Sequence, residues 1–502
     1  MSTPRADILL LGIVGLSLAG SAAEAQGYRL RLDSRAQRVS YRGVAEDSIP
    51  RAAVVTGPTG GLETPDGFAV RCPEGGASCY FFRPGREVRG APMISSADLV
   101  LWGLGVRGLS VRMNGRFGVD LGDSEVWPGT EPAVQLIEAY AEYAHPSFTV
   151  RGGRQLLTNR LGVVGFDGGH LAVRSDRRGL EADVYVGLGL ARATALPVTS
   201  PVLNPLDDFQ PRRRQLLTGI ALMHSGRLAD VRADYQREID REDRNFVSER
   251  AALALDLRPG QRWSITAGAD YDLANTWFGN AEAVVRYTTP WVTVAGGARQ
   301  YRPYFDLWTI WGAFSPVPYH AVNAATWVRP ARGLELRARW EGYEYSKTET
   351  ETPLVDVGHD GWRFGTGVTY SPSPAWTVDA GYREESGPGA ASHGFEGSVT
   401  FISGAALSLT GYASTLDRPL EFRFDDASAD AFGFDAEWRP TGRLRIGMGL
   451  ARYTEDRARP DAAAFDWDQT RLNARVTLLL RSDADAVHVP PALRGRSRAG
   501  SR

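Results

Sequence analysis

The fold is decided by R-L-R-I-G-M-G-L, residues 443–450, and by T-R-L-N-A-R-V-T-L-L-L-R, residues 470–481. In the first run, Leu444, Ile446, Met448 and Leu450 alternate with arginine or glycine. In the second run, apolar residues alternate in the same way with arginine, asparagine and threonine. Alternation with a period of two predicts β-strands that have one apolar face and one polar face.

The same alternation recurs along most of the chain, with almost no helical pattern between the repeats. Residues 108–121 and 334–341 are the clearest further examples. Short turns rich in Pro, Gly or Ser alternate with longer connections, which is typical of barrels with short periplasmic turns and long extracellular loops. We therefore predict an all-β fold, a closed antiparallel transmembrane β-barrel of about 22 strands, within roughly 18 to 24.

The two ends of the chain differ from this repeat. Residues 1–25 predict a cleaved signal peptide, with Arg5 before an apolar run and Ala23-Glu24-Ala25 as the cleavage site. The barrel is expected over residues 26–481, and the basic tail 482–502 is expected to be disordered. These features predict export to a bacterial outer membrane.

The amino-acid composition limits which kinds of binding partner are expected. The chain has 57 basic and 59 acidic residues, so the net charge gives no reason to expect a nucleic-acid partner. Cys72 and Cys79, the two cysteines, predict a local disulfide in an exported chain. They lie in a Pro- and Gly-rich segment, residues 45–97, which we interpret as one long loop that caps or enters the barrel.

One local motif carries a family resemblance. It consists of Arg154 and Gln155 after two glycines, then Arg160, then Phe166 and Asp167 before two more glycines. This pattern resembles the G-R-Q … R … F-D-G signature of alginate-export and related porin-like outer-membrane channels. The resemblance implies a substrate channel with this segment near the lumen. The structural alternative is an Arg–Asp contact that holds an outer loop.

Charged residues on the polar faces of the predicted strands are the candidates for lining a pore, because rings of charge in a narrow lumen select and orient solutes. The alternative is that they pair with one another and only solvate the wall. The candidates are Arg112, Arg116, Asp120, Glu138, Glu142, Arg151, Asp183, Glu335, Arg337, Arg339, Glu341, Arg445 and Arg475.

The function expected from these features is passive passage of small hydrophilic solutes or ions. The partners expected are outer-membrane lipid, lipopolysaccharide and the barrel-assembly machinery, and neither a cofactor nor a metal is expected. The alternatives are a loop-plugged structural or adhesive barrel and, more distantly, an outer-membrane hydrolase. No enzyme is expected, because the seven histidines show no metal-binding spacing and nothing marks Ser225, beside His224, as a nucleophile.

Overall fold

A computed structural model describes most of the chain between residues 27 and 482. The described residues are 27–57, 60–122, 134–175, 177–190, 215–239, 246–274, 276–302, 318–346, 359–387, 390–421, 427–457 and 467–482. The predicted signal peptide and nearly all of the predicted tail lie outside these ranges. No helix among these residues is long and apolar enough to cross a membrane.

Strands make up nearly all of the described chain, and one turn of 3-10 helix spans Arg51–Ala53. The strands are β1 (Gly27–Pro50), β2 (Val55–Thr56), β3 (Leu62–Glu63), β4 (Val70–Arg71), β5 (Ser78–Gly90), β6 (Pro92–Trp102), β7 (Leu109–Asp120), β8 (Val134–Ala144), β9 (Phe148–Asn159), β10 (Gly162–Ser175), β11 (Leu180–Gly189), β12 (Leu216–Ser225), β13 (Ala229–Ile239), β14 (Phe246–Leu257), β15 (Trp263–Asp272), β16 (Trp277–Thr288), β17 (Val292–Tyr301), β18 (Tyr319–Ala331), β19 (Leu334–Tyr345), β20 (Asp360–Ser373), β21 (Trp376–Gly387), β22 (Ala390–Ser403), β23 (Leu407–Glu421), β24 (Ala427–Thr441), β25 (Leu444–Arg457) and β26 (Trp467–Arg481).

The sheet closes on itself. Strands β6 to β26 pair in chain order, and β1 pairs with both β6 and β26, so the barrel has 22 strands. Every pairing is antiparallel. The predicted fold class and strand number are confirmed.

The two faces of the wall differ as the alternation predicts. Large apolar side chains such as Phe432 and Met448 point away from the barrel and are 61% and 65% exposed. Charged and polar side chains occupy the alternate positions and face the lumen, where they form ion pairs between strands. We call these the outward face and the lumen face.

The seam between the first and last strands is held by a largely buried carboxylate. Asp33 on β1 accepts hydrogen bonds from Arg475 Nη2 at 2.6 Å and from Thr477 Oγ1 at 2.8 Å, both on β26. The Asp33 side chain is 11% exposed. Charge-assisted hydrogen bonds of this kind are stronger than neutral ones, so they fix the register at which the barrel closes.

The segment predicted as one loop, residues 45–97, is largely strand, which corrects the prediction. β1 continues through Pro50 and pairs with β5, and β6 already belongs to the barrel wall. β1 and β5 form an arm that extends from the barrel wall for about 40 Å, at 3.3 Å per residue. The strand was not recognised in the sequence because its alternation slips in phase and because the segment is rich in Pro and Gly. β1 is one strand whose first part belongs to the barrel and whose second part belongs to the arm.

The tip of the arm folds over one face of the arm. Cys72 and Cys79 form the predicted disulfide, with Cα atoms 4.2 Å apart. Phe68 packs against Phe81 with ring centroids 5.5 Å apart, and both side chains are buried. The disulfide and this aromatic pair together give the tip a small core of its own.

The two rims of the barrel differ in their connections. At one rim, strands are joined by turns of two to six residues, such as residues 226–228 and 332–333. At the other rim lie most of the longer connections and the base of the arm. We call these the short-turn rim and the long-loop rim.

Replacing Asp33 by Ala should weaken closure of the barrel. The change removes three hydrogen bonds across the seam, two from the Arg475 guanidinium and one from the Thr477 hydroxyl, and we expect a loss of about 2–3 kcal/mol in the free energy of unfolding. Urea unfolding of the refolded protein, followed by tryptophan fluorescence, measures this value. Asp47→Ala, which removes an exposed ion pair with Arg83 on the arm, is the control and should change stability by less than about 1 kcal/mol. Equal effects of the two changes would contradict a special role of the seam.

Candidate functional site

The candidate site is the lumen, and its wall is uneven. From β7 to β15 the wall is packed, and polar side chains on its lumen face are buried. The buried polar side chains of this half are Ser110, Glu142, Thr149, Gln155, His170, Asp234, Gln236, Glu238, Ser248, Arg250, Asp270 and Asp272. Part of this packing comes from a hairpin of the wall itself.

The hairpin is the distal part of β9 and β10, residues 155–165, and it folds into the lumen. Gly153, at its base, has a φ of +129°, a backbone conformation that favours glycine. At the tip, Arg160 Nη1 lies 3.1 Å from Glu282 Oε1 on β16. Arg250 on β14 donates to the carbonyl of Leu161 at 3.2 Å. The hairpin therefore spans the lumen face from β11 to β16.

An apolar cluster fixes the hairpin against the inner wall. Val164 and Phe166 from β10 pack with Tyr185 of β11 and Leu217 of β12, and all four are at most 3% exposed. The rings of Phe166 and Tyr185 stack with centroids 5.4 Å apart. Burial of aromatic rings supplies a large share of packing energy, so the hairpin is a fixed part of the lumen.

The motif residues hold the base of this hairpin. Arg154 and Asp167 form a bidentate ion pair, with Nε to Oδ1 at 2.7 Å and Nη2 to Oδ2 at 3.0 Å. Both lie on the outward face, in phase with exposed Val163 and Leu171. Gln155 is buried and donates to the carbonyl of Gly168 at 3.0 Å. The arrangement corresponds to the structural alternative for Arg154 and Asp167, whereas Arg160 reaches into the lumen.

The predicted pore-lining residues lie on the lumen faces of β7, β8, β9, β11, β19, β25 and β26. Most are paired with polar partners. The pairs are Arg112–Asp98, Arg112–Glu138, Arg116–Gln135, Arg151–Glu142, Arg329–Glu335, Arg337–Asp379, Arg299–Glu341, Arg445–Glu437 and Arg475–Asp33.

Two predicted residues have a local role instead. Asp120 accepts hydrogen bonds from the backbone N–H groups of Ala91 and Gly122, both at 2.8 Å, and so caps the base of the arm at the long-loop rim. Asp183 lies 3.9 Å from the Nε2 atom of His170 in the packed wall. Neither carboxylate is on the open part of the lumen wall.

The wall from β17 to β21 is open and carries a layered network. Arg363 bridges two carboxylates, with Nη1 to Glu341 Oε1 at 3.0 Å and Nε to Glu385 Oε1 at 2.9 Å. Arg299 Nη2 reaches the same Glu341 oxygen at 2.6 Å. The Arg363 guanidinium also lies 4.7 Å from the ring centroid of Tyr343. This layer is charge-compensated and rigid.

The next layer toward the short-turn rim is different, because its cations form no ion pair within the described part of the chain. Arg339 on β19 and Arg383 on β21 both pair in register with Gly365 on β20. Arg339 lies across Gly365, with Nε 2.7 Å from where a Cβ would stand. Both arginines are exposed to the lumen, and among the described residues neither has an ion-pair or hydrogen-bond partner.

A neighbouring layer shows why these two arginines are unpaired. Arg337 crosses Gly367 in the same way but meets Asp379 on β21, with Nη2 to Oδ1 at 2.7 Å and Nη1 to Oδ2 at 2.8 Å. Arg339 crosses Gly365 toward Arg383, its register position on β21, and the position that corresponds to Asp379 in this layer is Gly381, which offers no carboxylate. Register places the two arginines two strands apart, about 10 Å between Cα atoms. Within the described chain neither arginine is in an ion pair, although Glu396 on β22 extends over Gly381 in the neighbouring layer.

Arg339 and Arg383 line a concavity of about 610 Å³ in this wall, together with Arg299, Arg363 and the glutamates. Guanidinium groups present planar donor forks that suit carboxylate and phosphate oxygens. Sequence reasoning named Arg339 but missed Arg383, although the alternation in T-V-D-A-G-Y-R (residues 377–383) places it on the same face.

A larger concavity, of about 900 Å³, lies mainly on the outward face. Alanines and leucines of β14 to β18 line most of it, for example Leu253, Ala267 and Ala283. Its lining also includes Glu282 and Arg299, whose side chains lie on the lumen face. The part of the chain that the structure describes also holds no group of three or more side chains suited to bind a metal ion.

Comparison with known proteins gives a likeness in solved structures alone. No protein-family model and no curated protein matches the sequence. A BenF-like porin from Pseudomonas fluorescens Pf-5 is 11% identical, with 90% of this chain and 99% of that chain covered and a TM-score of 0.41. OccAB4 from Acinetobacter baumannii is 8% identical, with 91% and 98% covered and a TM-score of 0.40. The barrel topology rests on the strand pairing described above and not on this likeness.

The two walls should differ in chemical accessibility. We expect a cysteine at Arg383→Cys, on the open wall, to react at least about tenfold faster with a charged, water-soluble methanethiosulfonate than a cysteine at Ala172→Cys, on the packed wall. Ala172 is 4% exposed. Mass spectrometry of the intact protein measures the rates, and the parent protein is the blank because its two cysteines are joined. Comparable rates at the two positions would show that the lumen is not divided in this way.

Proposed function

We propose that this protein is a bacterial outer-membrane channel for passive diffusion of small hydrophilic solutes, with a preference for anions. The long-loop rim would face the outside and the short-turn rim the periplasm. Lipid and lipopolysaccharide would surround the outward face, and assembly machinery would insert the barrel. The observation that carries the anion preference is the unpaired Arg339–Arg383 layer on the open wall.

The chemistry of the lumen supports diffusion as the mode of action. A closed barrel has a polar lumen face that is separated from an apolar outward face, as membrane-spanning barrels require. On the open wall, paired charges such as Arg363 with Glu341 and Glu385 offer fixed polar contacts without a net pull on a solute. A solute would meet uncompensated charge at Arg339 and Arg383 and then leave toward either rim.

The size of the expected selectivity follows from Coulomb's law. A unit charge at about 5 Å in water contributes about 0.8 kcal/mol, and salt at about 0.1 M roughly halves this value. Each free arginine should therefore change the ratio of anion to cation permeability by about twofold to fourfold. Two such groups produce a clear preference without trapping the ion, which keeps passage fast.

The test is the single-channel conductance of the refolded protein in a planar bilayer, with the reversal potential measured in a salt gradient. We expect discrete conductance steps and a reversal potential whose sign corresponds to a higher permeability for anions than for cations. Arg339→Gln with Arg383→Gln should lower the anion-to-cation permeability ratio by about fourfold or more, for the reason just given.

The matched control is Arg332→Gln, which removes an exposed arginine from the turn between β18 and β19. It should leave the permeability ratio unchanged. An unchanged ratio in the double variant would contradict the role of the two arginines while leaving the channel itself intact.

A second candidate function is a structural or adhesive barrel that does not conduct. The packed wall from β7 to β15 and the arm beyond the long-loop rim favour it. The same bilayer measurement separates the two functions: a correctly folded barrel that shows no steps would support the structural role and overturn the channel.

A further inference from the structure

β8 and β9 part from each other in mid-strand. Their last registered pair is Ala139 with Arg154. β8 continues as strand for residues 134–138, paired on its other side to β7, and β9 continues for residues 155–159, paired on its other side to β10. No strand pairing joins these two five-residue stretches in the part of the chain that the structure describes. We call this divergence the fork.

At other seams a long strand runs past the end of a shorter neighbour. On β14, for example, residues 246–249 extend beyond its last pair with β15, whose strand ends at the partner residue Asp272. Such an offset follows from the stagger of a tilted barrel. The fork differs because both strands continue, so each presents an edge of N–H and C=O groups that could pair with the other.

Arg154 stands where the two strands separate. Its Nη1 atom donates to the carbonyl of Leu136 on the free edge of β8 at 3.0 Å. The same guanidinium is held by both oxygens of Asp167 on β10, at 2.7 and 3.0 Å. A side chain thus bonds to a strand edge while it is fixed to the hairpin.

We propose that the Arg154–Asp167 ion pair is a positioning pair that holds the hairpin inside the lumen and so sets the bore of the channel. The proposal rests on the proposed function, because a bore matters only if solute passes. The two free edges are antiparallel, equal in length and next in register. Without the ion pair, the two edges are free to form backbone hydrogen bonds with each other. We call this zipping, and it would return the hairpin to the wall.

Two sets of interactions oppose each other in this arrangement. Zipping would add ladder hydrogen bonds along five residues of each edge and cover an exposed edge. The lumen position is stabilised by the Arg160–Glu282 pair, by the bond from Arg250 to the Leu161 carbonyl, and by the cluster around Phe166. The outward position of Arg154 and Asp167 makes their pairing obligatory in a membrane, because an unpaired charge facing lipid is costly.

The experiment replaces both charges at once, with Arg154→Leu and Asp167→Leu in the full chain, so that no unpaired charge is left on the outward face. Two strands at 4.8 Å spacing and about 10 Å thickness occupy about 100 Å². For a bore of similar area we expect about a twofold rise in single-channel conductance. Exchange of the charges, Arg154→Asp with Asp167→Arg, keeps the ion pair and should restore the conductance of the parent protein.

A second measurement does not need conduction. β8 has a bulge at Ile137, between its pairs Glu138–Asn114 and Leu136–Gly115, and this one-residue shift would set Leu136 opposite Leu156. Leu136→Cys and Leu156→Cys therefore place thiols on the outward sides of the two edges, where they meet only if the fork zips. We expect their disulfide to form at least tenfold faster in the double-leucine background than in the parent background, as read from gel mobility. The charge-exchanged background should match the parent.

The outcomes separate the two proposals. If the double-leucine variant conducts like the parent and the cross-fork disulfide forms at equal rates in both backgrounds, the positioning role is overturned and the channel stands. If the parent barrel shows no conductance, the channel is overturned, and the disulfide rates alone then decide whether the pair holds the hairpin.

If the double-leucine protein fails to fold, the charge-exchanged and parent backgrounds are compared with Asp167→Asn. This change keeps one hydrogen bond and should give an intermediate rate of disulfide formation. A rate equal to that of the parent would again overturn the positioning role.

Discussion

The constraint on which this structure depends is the pairing of backbone N–H and C=O groups along strand edges. An open sheet of this length would leave two long unpaired edges, and inside a membrane each unpaired group would be costly. Pairing of β1 with both β6 and β26 removes the edges. The Asp33–Arg475 ion pair across that seam joins residues 442 apart in sequence, so closure depends on a contact that no local pattern encodes.

Closure also decides how charge is distributed. Once the sheet is closed, every second side chain must share one lumen, and carboxylates and guanidinium groups on adjacent strands come within hydrogen-bond distance. Most of them pair, as Arg112 does with Asp98 and Glu138. A charge remains available to a solute only where register gives it no partner. The uneven lumen therefore follows from register as much as from composition.

The sequence allowed the strands, their number and the lumen face to be predicted, because alternation with a period of two is local and was visible throughout. It did not allow the arm to be predicted, because β1 serves the barrel and the arm in one continuous strand of 24 residues. Nor could it separate free from paired arginines. Arg337 and Arg339 have the same phase on the same strand, and only the residue that each meets on β21 distinguishes them. The position of the hairpin could not be predicted either, because its contact from Arg160 to Glu282 spans 122 residues.

At the fork, backbone pairing between β8 and β9 ends before either strand ends. Charged side chains there supply part of the hydrogen bonding that pairing would have given. A β-strand edge that leaves its neighbour needs another donor for its carbonyls, and Arg154 provides one to Leu136. An arginine suits this position because its planar fork can bind a carbonyl and a carboxylate together, which a lysine cannot do with comparable geometry. The glycine before it supplies the bend, and Asp167 supplies the counter-charge. A short motif of glycine, arginine and aspartate is thus sufficient to turn a wall hairpin into a lumen element without opening the barrel.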